Sequence, residues 1–152
     1  MSAPPMAANL LVGWWRLVSI TALMADGTVN AAIYGAHPTG SITYSTDGHM
    51  MVMFARGDRP FLGGDPTSPF DLAAVPQADL AEAFTGFSAY AGTYTVDGST
   101  VYHHLTTASI PNRVGITLAR TFSISGHQLT LKTPESGARD GATSFELVWH
   151  RQ

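Results

Sequence analysis

The chain has 152 residues, of which 45% are hydrophobic and only 12% charged, with 8 Lys and Arg against 11 Asp and Glu. That length suits one domain over residues 1–152 with one core, and the charge balance leaves no basic stripe for a nucleic-acid partner. With no cysteine there is no disulfide framework, no thiolate nucleophile and no cysteine-held metal. The opening Met1 to Asn9 lacks the basic start and long apolar centre of a secretory signal. The apolar stretch Ala7 to Ala25 is interrupted by Arg16, Ser19 and Thr21, which argues against a membrane span. The expectation is a soluble cytoplasmic protein, a monomer or a homodimer, with no membrane partner.

Taken in chain order, short runs rich in Val, Ile, Thr, Tyr and Phe alternate with Asp-Gly and Ser-Gly pairs, the pattern of strands separated by turns. Gly13 to Met24 is the first predicted strand, and Asp26-Gly27 turns it into a looser extended piece, Thr28 to Tyr34. Gly40 to Thr46 and His49 to Arg56 flank Asp47-Gly48, and Tyr90 to Val96 and Thr100 to Ser109 flank Asp97-Gly98; both pairs signal tight hairpins. Between these hairpins, Gly57 to Ala89 is rich in proline and glycine until Leu80, Ala83, Phe84 and Phe87 recur at helical spacing. This predicts a short helix over Ala78 to Phe87, either a cover for one end of the fold or a surface helix that fills a gap. Gly115 to Ile124, His127 to Thr133 and Thr143 to Arg151 complete the strands, with Glu135 to Gly141 as an exposed hairpin loop. Eight main strands joined by short links predict an all-β fold, an eight-stranded antiparallel up-and-down barrel with one short helix capping an end.

The opening Leu11-Val12-Gly13-Trp14-Trp15-Arg16-Leu17-Val18-Ser19 resembles the first strand of the bacterial and fungal lipocalin-like domain family, whose members form calycin-type barrels. The resemblance continues through Pro38-Thr39-Gly40, Asp47-Gly48-His49-Met50, Asp58-Arg59-Pro60, Tyr90 to Tyr94 and His103-His104. It extends to Pro111-Asn112 with Gly115, Arg120-Thr121-Phe122 and Leu147 to Arg151. It implies that Trp15, two residues after Gly13, plugs the closed end of the barrel and that Arg151 lies across its ring. Both are then structural residues, and Trp14 points outward.

Strand alternation selects the candidate site residues, since a polar side chain in phase with apolar ones faces the lumen. Arg120 shares its phase with Ile116, Leu118, Phe122 and Ile124. It either binds a ligand carboxylate, carbonyl or enolate oxygen or is a buried arginine satisfied by Glu146 or by carbonyls. His103 and His104 must face opposite sides; Val101 and Leu105 put His103 on the more apolar one, as general base or acid or as a hydrogen-bonded core residue. Tyr44, Tyr90 and Tyr94 lie on apolar phases and need partners for their hydroxyls. Together His103, Arg120 and Tyr94 form the candidate catalytic set. Tyr44, Met51, Met53, Phe54, Tyr90, His104, Asn112 and Phe122 are the candidate ligand contacts, the methionines suiting an adaptable pocket or an ordinary core and Asn112 serving equally as a turn cap.

There is no phosphate loop, dinucleotide fingerprint, nucleophile elbow or metal motif in the sequence. No metal or cofactor is therefore expected. Two functions fit: a protein that binds a small hydrophobic or amphipathic molecule in its cavity, or a cofactor-independent cyclase or isomerase of a polyketide-like or terpenoid intermediate.

Overall fold

The computed structural model describes residues 6–136 and 141–152. A short helix, α1 (Met6–Leu11), leads into β1 (Gly13–Met24) and the two-residue β2 (Val29–Asn30). Then come β3 (Thr39–Tyr44), β4 (His49–Ala55), the helix α2 (Gln77–Thr85), β5 (Phe87–Asp97) and β6 (Thr100–Ala108). The chain ends in β7 (Thr117–Ser125), β8 (Gln128–Lys132) and β9 (Ala142–Arg151). Every paired strand is antiparallel, and the ring closes because β1 pairs with β3 on one side and with β9 on the other. The eight longer strands therefore form the expected antiparallel barrel, with β2 as a short flank on β1.

Alternation fills the interior from the eight longer strands, β7 contributing the partly buried Leu118, Phe122 and Ile124. Trp15, Leu17, Ile20, Ile42, Tyr44, Val52, Tyr90, Val101, Leu129, Leu131 and Trp149 are all buried in one cluster. The turns follow the chemistry of the sequence, with a difference in width. Gly98 and Ser99 alone link β5 to β6, where the positive φ of Gly98 (59°) suits a residue without a Cβ. Between β3 and β4 the link is wider, Ser45 to Gly48, because Ser45 turns its hydroxyl onto the Asp47 carboxylate and closes the loop through its backbone N–H to the His49 carbonyl, 2.9 Å away.

Two elements depart from expectation. The helix predicted over Ala78 to Phe87 runs from Gln77 to Thr85, and Phe87 instead opens β5. The departure has a tertiary cause: Phe87, Ser88 and Ala89 pair with Ala55, Phe54 and Met53 of β4, far back in the chain, and this pairing takes the residues into the sheet. Helix α1, which the turn pattern did not indicate, lies against the barrel with Leu11 fully buried. The loop expected over 135–141 falls mostly outside the described residues.

At the end of the barrel next to α1, the Arg151 guanidinium carbon stands 4.0 Å from the centre of the Trp15 ring. Its nitrogens donate to the carbonyls of Val12 and Leu10, both at 2.7 Å. The Trp15 indole N–H donates to the Leu11 carbonyl at 2.8 Å. Gly13 makes this approach possible: its φ is +137°, and a Cβ there would come within 2.8 Å of the guanidinium. One cation thus ties the last strand to the first strand and to the end of α1, and shuts this end with a fully buried tryptophan. Arg151→Ala is expected to lower the free energy of unfolding by roughly 2 to 4 kcal/mol, the combined worth of the stacked cation and its carbonyl hydrogen bonds. Urea denaturation measures this, and a change below about 1 kcal/mol would show that closure does not depend on the pair.

Candidate functional site

The interior away from Trp15 holds a cavity of about 420 Å³, a size suited to a small organic molecule. Its wall is mostly apolar: Ile20, Ile42, Val52, Phe54, Leu131, Phe145 and Leu147 come from five different strands and alternate inward. Tyr34, Phe84, Phe87, Ile110 and Arg113 also line it. Phe84 and Thr85 place the end of α2 against the opening, and no residue of α2 is buried. The helix is therefore a cover with little apolar attachment, the kind of element that opens at low cost. Arg59 steadies it by donating to the Ala83 carbonyl at 3.1 Å while lying over the Phe87 ring.

The polar part of the cavity centres on His103, a fully buried residue of β6. The Tyr44 hydroxyl is 2.7 Å from Nε2 and the Tyr90 hydroxyl 2.9 Å from Nδ1. Burial, helped by the Arg120 charge and then by His104, lowers the His103 pKa to about 3, so the ring is neutral and carries one proton. Hydrogen-bond bookkeeping assigns that proton. Tyr44 is buried and its hydroxyl meets only His103 among the described residues, so its proton has to go to Nε2 or go unbonded. Nδ1 then holds the ring proton and donates to the Tyr90 oxygen. The Tyr90 proton is left to point into the cavity that Tyr90 lines. Burial raises both tyrosines above the ordinary phenol range, against the opposing pull of Arg120, so both stay neutral donors.

Arg120 reaches the cavity from β7, part-buried, with one nitrogen donating to its neighbour's carbonyl, that of Ala119, at 2.8 Å. It makes no ion pair with Glu146 or with any other described carboxylate. Arg113 joins it from the single turn of 3-10 helix at Pro111–Arg113 and lies over the Tyr90 ring at 5.8 Å, likewise without an ion pair. Two guanidiniums and the Tyr90 hydroxyl therefore share one apolar chamber, and every one of them offers a proton.

Of the expected residues, His103, Arg120, Tyr90 and Phe54 line this cavity, and Tyr44 supports it from behind His103. Tyr94 is buried but turned away: its hydroxyl donates to the Ser45 carbonyl at 2.8 Å, at the β3–β4 hairpin, and it is not part of the wall. Met51 and Met53 lie on the outer face, each about half exposed, because the pleat of β4 turns Met50, Val52 and Phe54 inward instead. His104 also faces outward, bridging Thr95 and Thr117 at 2.9 Å each. Asn112 is exposed beside Arg113, and Phe122 packs into the core below the wall. Sequence reasoning missed Arg113, whose irregular turn shows no periodicity, and Leu147 and Trp149, whose shared phase with Arg151 on β9 was a usable signal.

Residues 12–152 match the lipocalin-like domain family. The chain belongs to this family. Among solved structures, the crystal structure of the wild-type fluorescent protein UnaG is similar over 95% of this chain and 99% of that one, with 12% sequence identity and a TM-score of 0.39. No curated protein matches in sequence. No helix among the described residues is long and apolar enough to cross a membrane.

The buried neutral histidine of this lipocalin-like barrel makes its stability depend on pH. An unfolded chain takes up the His103 proton near the ordinary value of 6.5, whereas the folded chain does so only near 3. The stabilisation is therefore complete above the unfolded value and declines as pH falls through this window, by up to about 1.4 kcal/mol per pH unit. Urea unfolding at a series of pH values between about 6.5 and about 4.5 is expected to show this loss in the wild type and little of it in His103→Gln. Equal slopes in the two proteins would mean that His103 is free to ionise in the fold.

Proposed function

We propose that this protein binds an amphipathic small molecule whose anionic or strongly polarised oxygen meets Arg120, Arg113 and the Tyr90 hydroxyl while its apolar body fills the barrel. The observation that carries this reading is the pair of cavity guanidiniums without carboxylate partners among the described residues. A buried cation is costly unless paired, and an arginine fork suits a planar oxygen pair. With both present in a chamber of mostly apolar walls, a ligand anion completes the electrostatics that the described residues leave open. The cover formed by α2 gives such a molecule a route in.

The same donors would also favour a developing enolate, which is the reading of the barrel as a cofactor-free cyclase or isomerase. His103 weighs against acid–base work of that kind. Both of its ring nitrogens are engaged by tyrosines and its basicity is low, so it is poorly suited to accept a proton from a substrate. Binding is the function this arrangement supports better.

Two fluorescent probes that share one aromatic skeleton separate charge from apolarity: anilinonaphthalene sulfonate, an anion, and N-phenylnaphthylamine, which is neutral. The anion is expected to bind more tightly, and Arg120→Met to weaken it by at least about tenfold, the scale of one charged hydrogen bond. The neutral probe is expected to change little in the same variant. Equal affinities for the two probes, or equal losses on substitution, would overturn the anionic head group.

A further inference from the structure

Outside the barrel cavity, at the end of α2, lies a second cleft of about 560 Å³. Tyr34, Thr85 and Phe145 belong to the walls of both, so cleft and cavity meet at these three side chains. Tyr34 is seated edge-on against Phe54 of the cavity wall, with their ring centres 5.3 Å apart. The other polar side chains of the cleft are Arg56, Asp58, Arg59 and Glu82, none of which lines the cavity. Close approaches to glycine hold three of them in place. Gly35, at φ +78°, lies so near Asp58 that a Cβ would come within 3.0 to 3.2 Å of its carboxyl atoms. Gly86 lies as near the stems of Arg59 and Arg56, which a Cβ would meet at 2.9 and 3.3 Å. Arg56 in turn grips Asp58 with two hydrogen bonds, at 2.9 and 3.1 Å.

The polar inventory of this cleft differs from that of the cavity. Two guanidiniums stand with two carboxylates, so its walls carry no net formal charge. The Arg56–Asp58 pair leaves the second terminal nitrogen of Arg56 and further lone pairs on both carboxylate oxygens for a ligand. Arg59 gives one nitrogen to the Ala83 carbonyl, and neither Arg59 nor Glu82 makes an ion pair among the described residues. The Thr85 hydroxyl donates to the Glu82 carbonyl at 3.0 Å and keeps its lone pairs for accepting, while a phenol such as Tyr34 can do both. A charged group would gain from one half of such a wall what it loses to the other. A hydroxyl, by contrast, donates to a carboxylate and accepts from a guanidinium at once and carries no charge. We propose that this cleft holds a neutral polyhydroxylated group, a sugar ring, borne by the apolar body of the acid bound in the cavity, so that the ligand is a glycosylated amphipathic acid. Ile33, Pro60 and the Phe145 ring give the cleft apolar faces that suit the C–H faces of a sugar. Helix α2, with no buried residue, lets the wall between the two spaces part. The proposal rests on the reading that the cavity binds an anionic amphiphile, and it adds the second group and the place that recognises it.

The test uses titration calorimetry, below aggregation concentrations, on ω-hydroxy fatty acids from octanoate to tetradecanoate, each beside its ω-O-β-glucoside, with ω-aminododecanoate as the cationic comparison. At least one glucoside is expected to bind about three- to tenfold more tightly than its parent hydroxy acid, the worth of one or two hydrogen bonds in an open cleft. The amino acid is expected to show no such gain over hydroxydodecanoate. Glu82→Ala removes an exposed carboxylate that makes no ion pair, and is expected to cut the glucoside preference by at least about twofold. Arg120→Met is expected to weaken parent and glucoside together and leave their ratio near its wild-type value. If the hydroxy acids bind but no glucoside is preferred, or if Glu82→Ala leaves the preference intact, the cleft is not the sugar site and the anionic-head reading stands. If the ammonium gains as much as the glucoside, the cleft selects charge and the polyhydroxylated group is wrong. If no acid of the series binds, the anionic-head reading itself fails.

Discussion

The stack of Arg151 on Trp15 is where the barrel becomes a container. An eight-stranded sheet closes only if its first and last strands meet, and here that seam carries a cation whose nitrogens bind the carbonyls of Val12 and Leu10 while its plane covers the indole. The seam and the plug are therefore one interaction. With that end sealed by a buried tryptophan and flanked by α1, the cavity lies away from the plug and reaches the end of α2.

The electrostatics of the interior follow from this enclosure. A chamber walled by Ile, Val, Leu and Phe penalises charge, and His103 responds by staying neutral between two tyrosines. Arginine has no such option, since its guanidinium keeps its proton under all ordinary conditions. Arg120 and Arg113 thus remain as fixed positive charge, softened by a neighbouring carbonyl and by the face of Tyr90. The relay from Tyr44 through His103 to Tyr90 has a direction: the buried Tyr44 proton is fixed first, and the Tyr90 proton is left for the cavity. A histidine that looks like an acid–base group in sequence becomes in the fold the part that aims a tyrosine.

Much of this was legible in the sequence, and the limits of that legibility have identifiable causes. Arg120 and His103 were readable because a period of two separates the faces of a strand, and both share a phase with large apolar residues. The same rule shows why Met51 and Met53 do not belong with Phe54: their positions differ in parity from it, and the pleat turns them outward. Tyr90 and Tyr94 share a phase, so alternation treats them alike; the barrel separates them by height, giving one hydroxyl to His103 and the other to the Ser45 carbonyl. Arg113 lies in a 3-10 turn after Pro111, where no periodicity tells which way a side chain points.

The sequence by itself determined the number of long strands, the positions of most turns, the faces of those strands and the pair that closes the barrel. These depend on local backbone preference, on the alternation of side chains and, for the pair, on a family pattern at the two ends of the chain. Tertiary structure alone decided which inward residues meet in one chamber, that Phe87 belongs to a strand and not to a helix, and that two guanidiniums meet no carboxylate among the described residues. Those facts depend on strand tilt and stagger around the ring and on contacts between residues as far apart as Tyr44 and His103. Local preference carries no information about either.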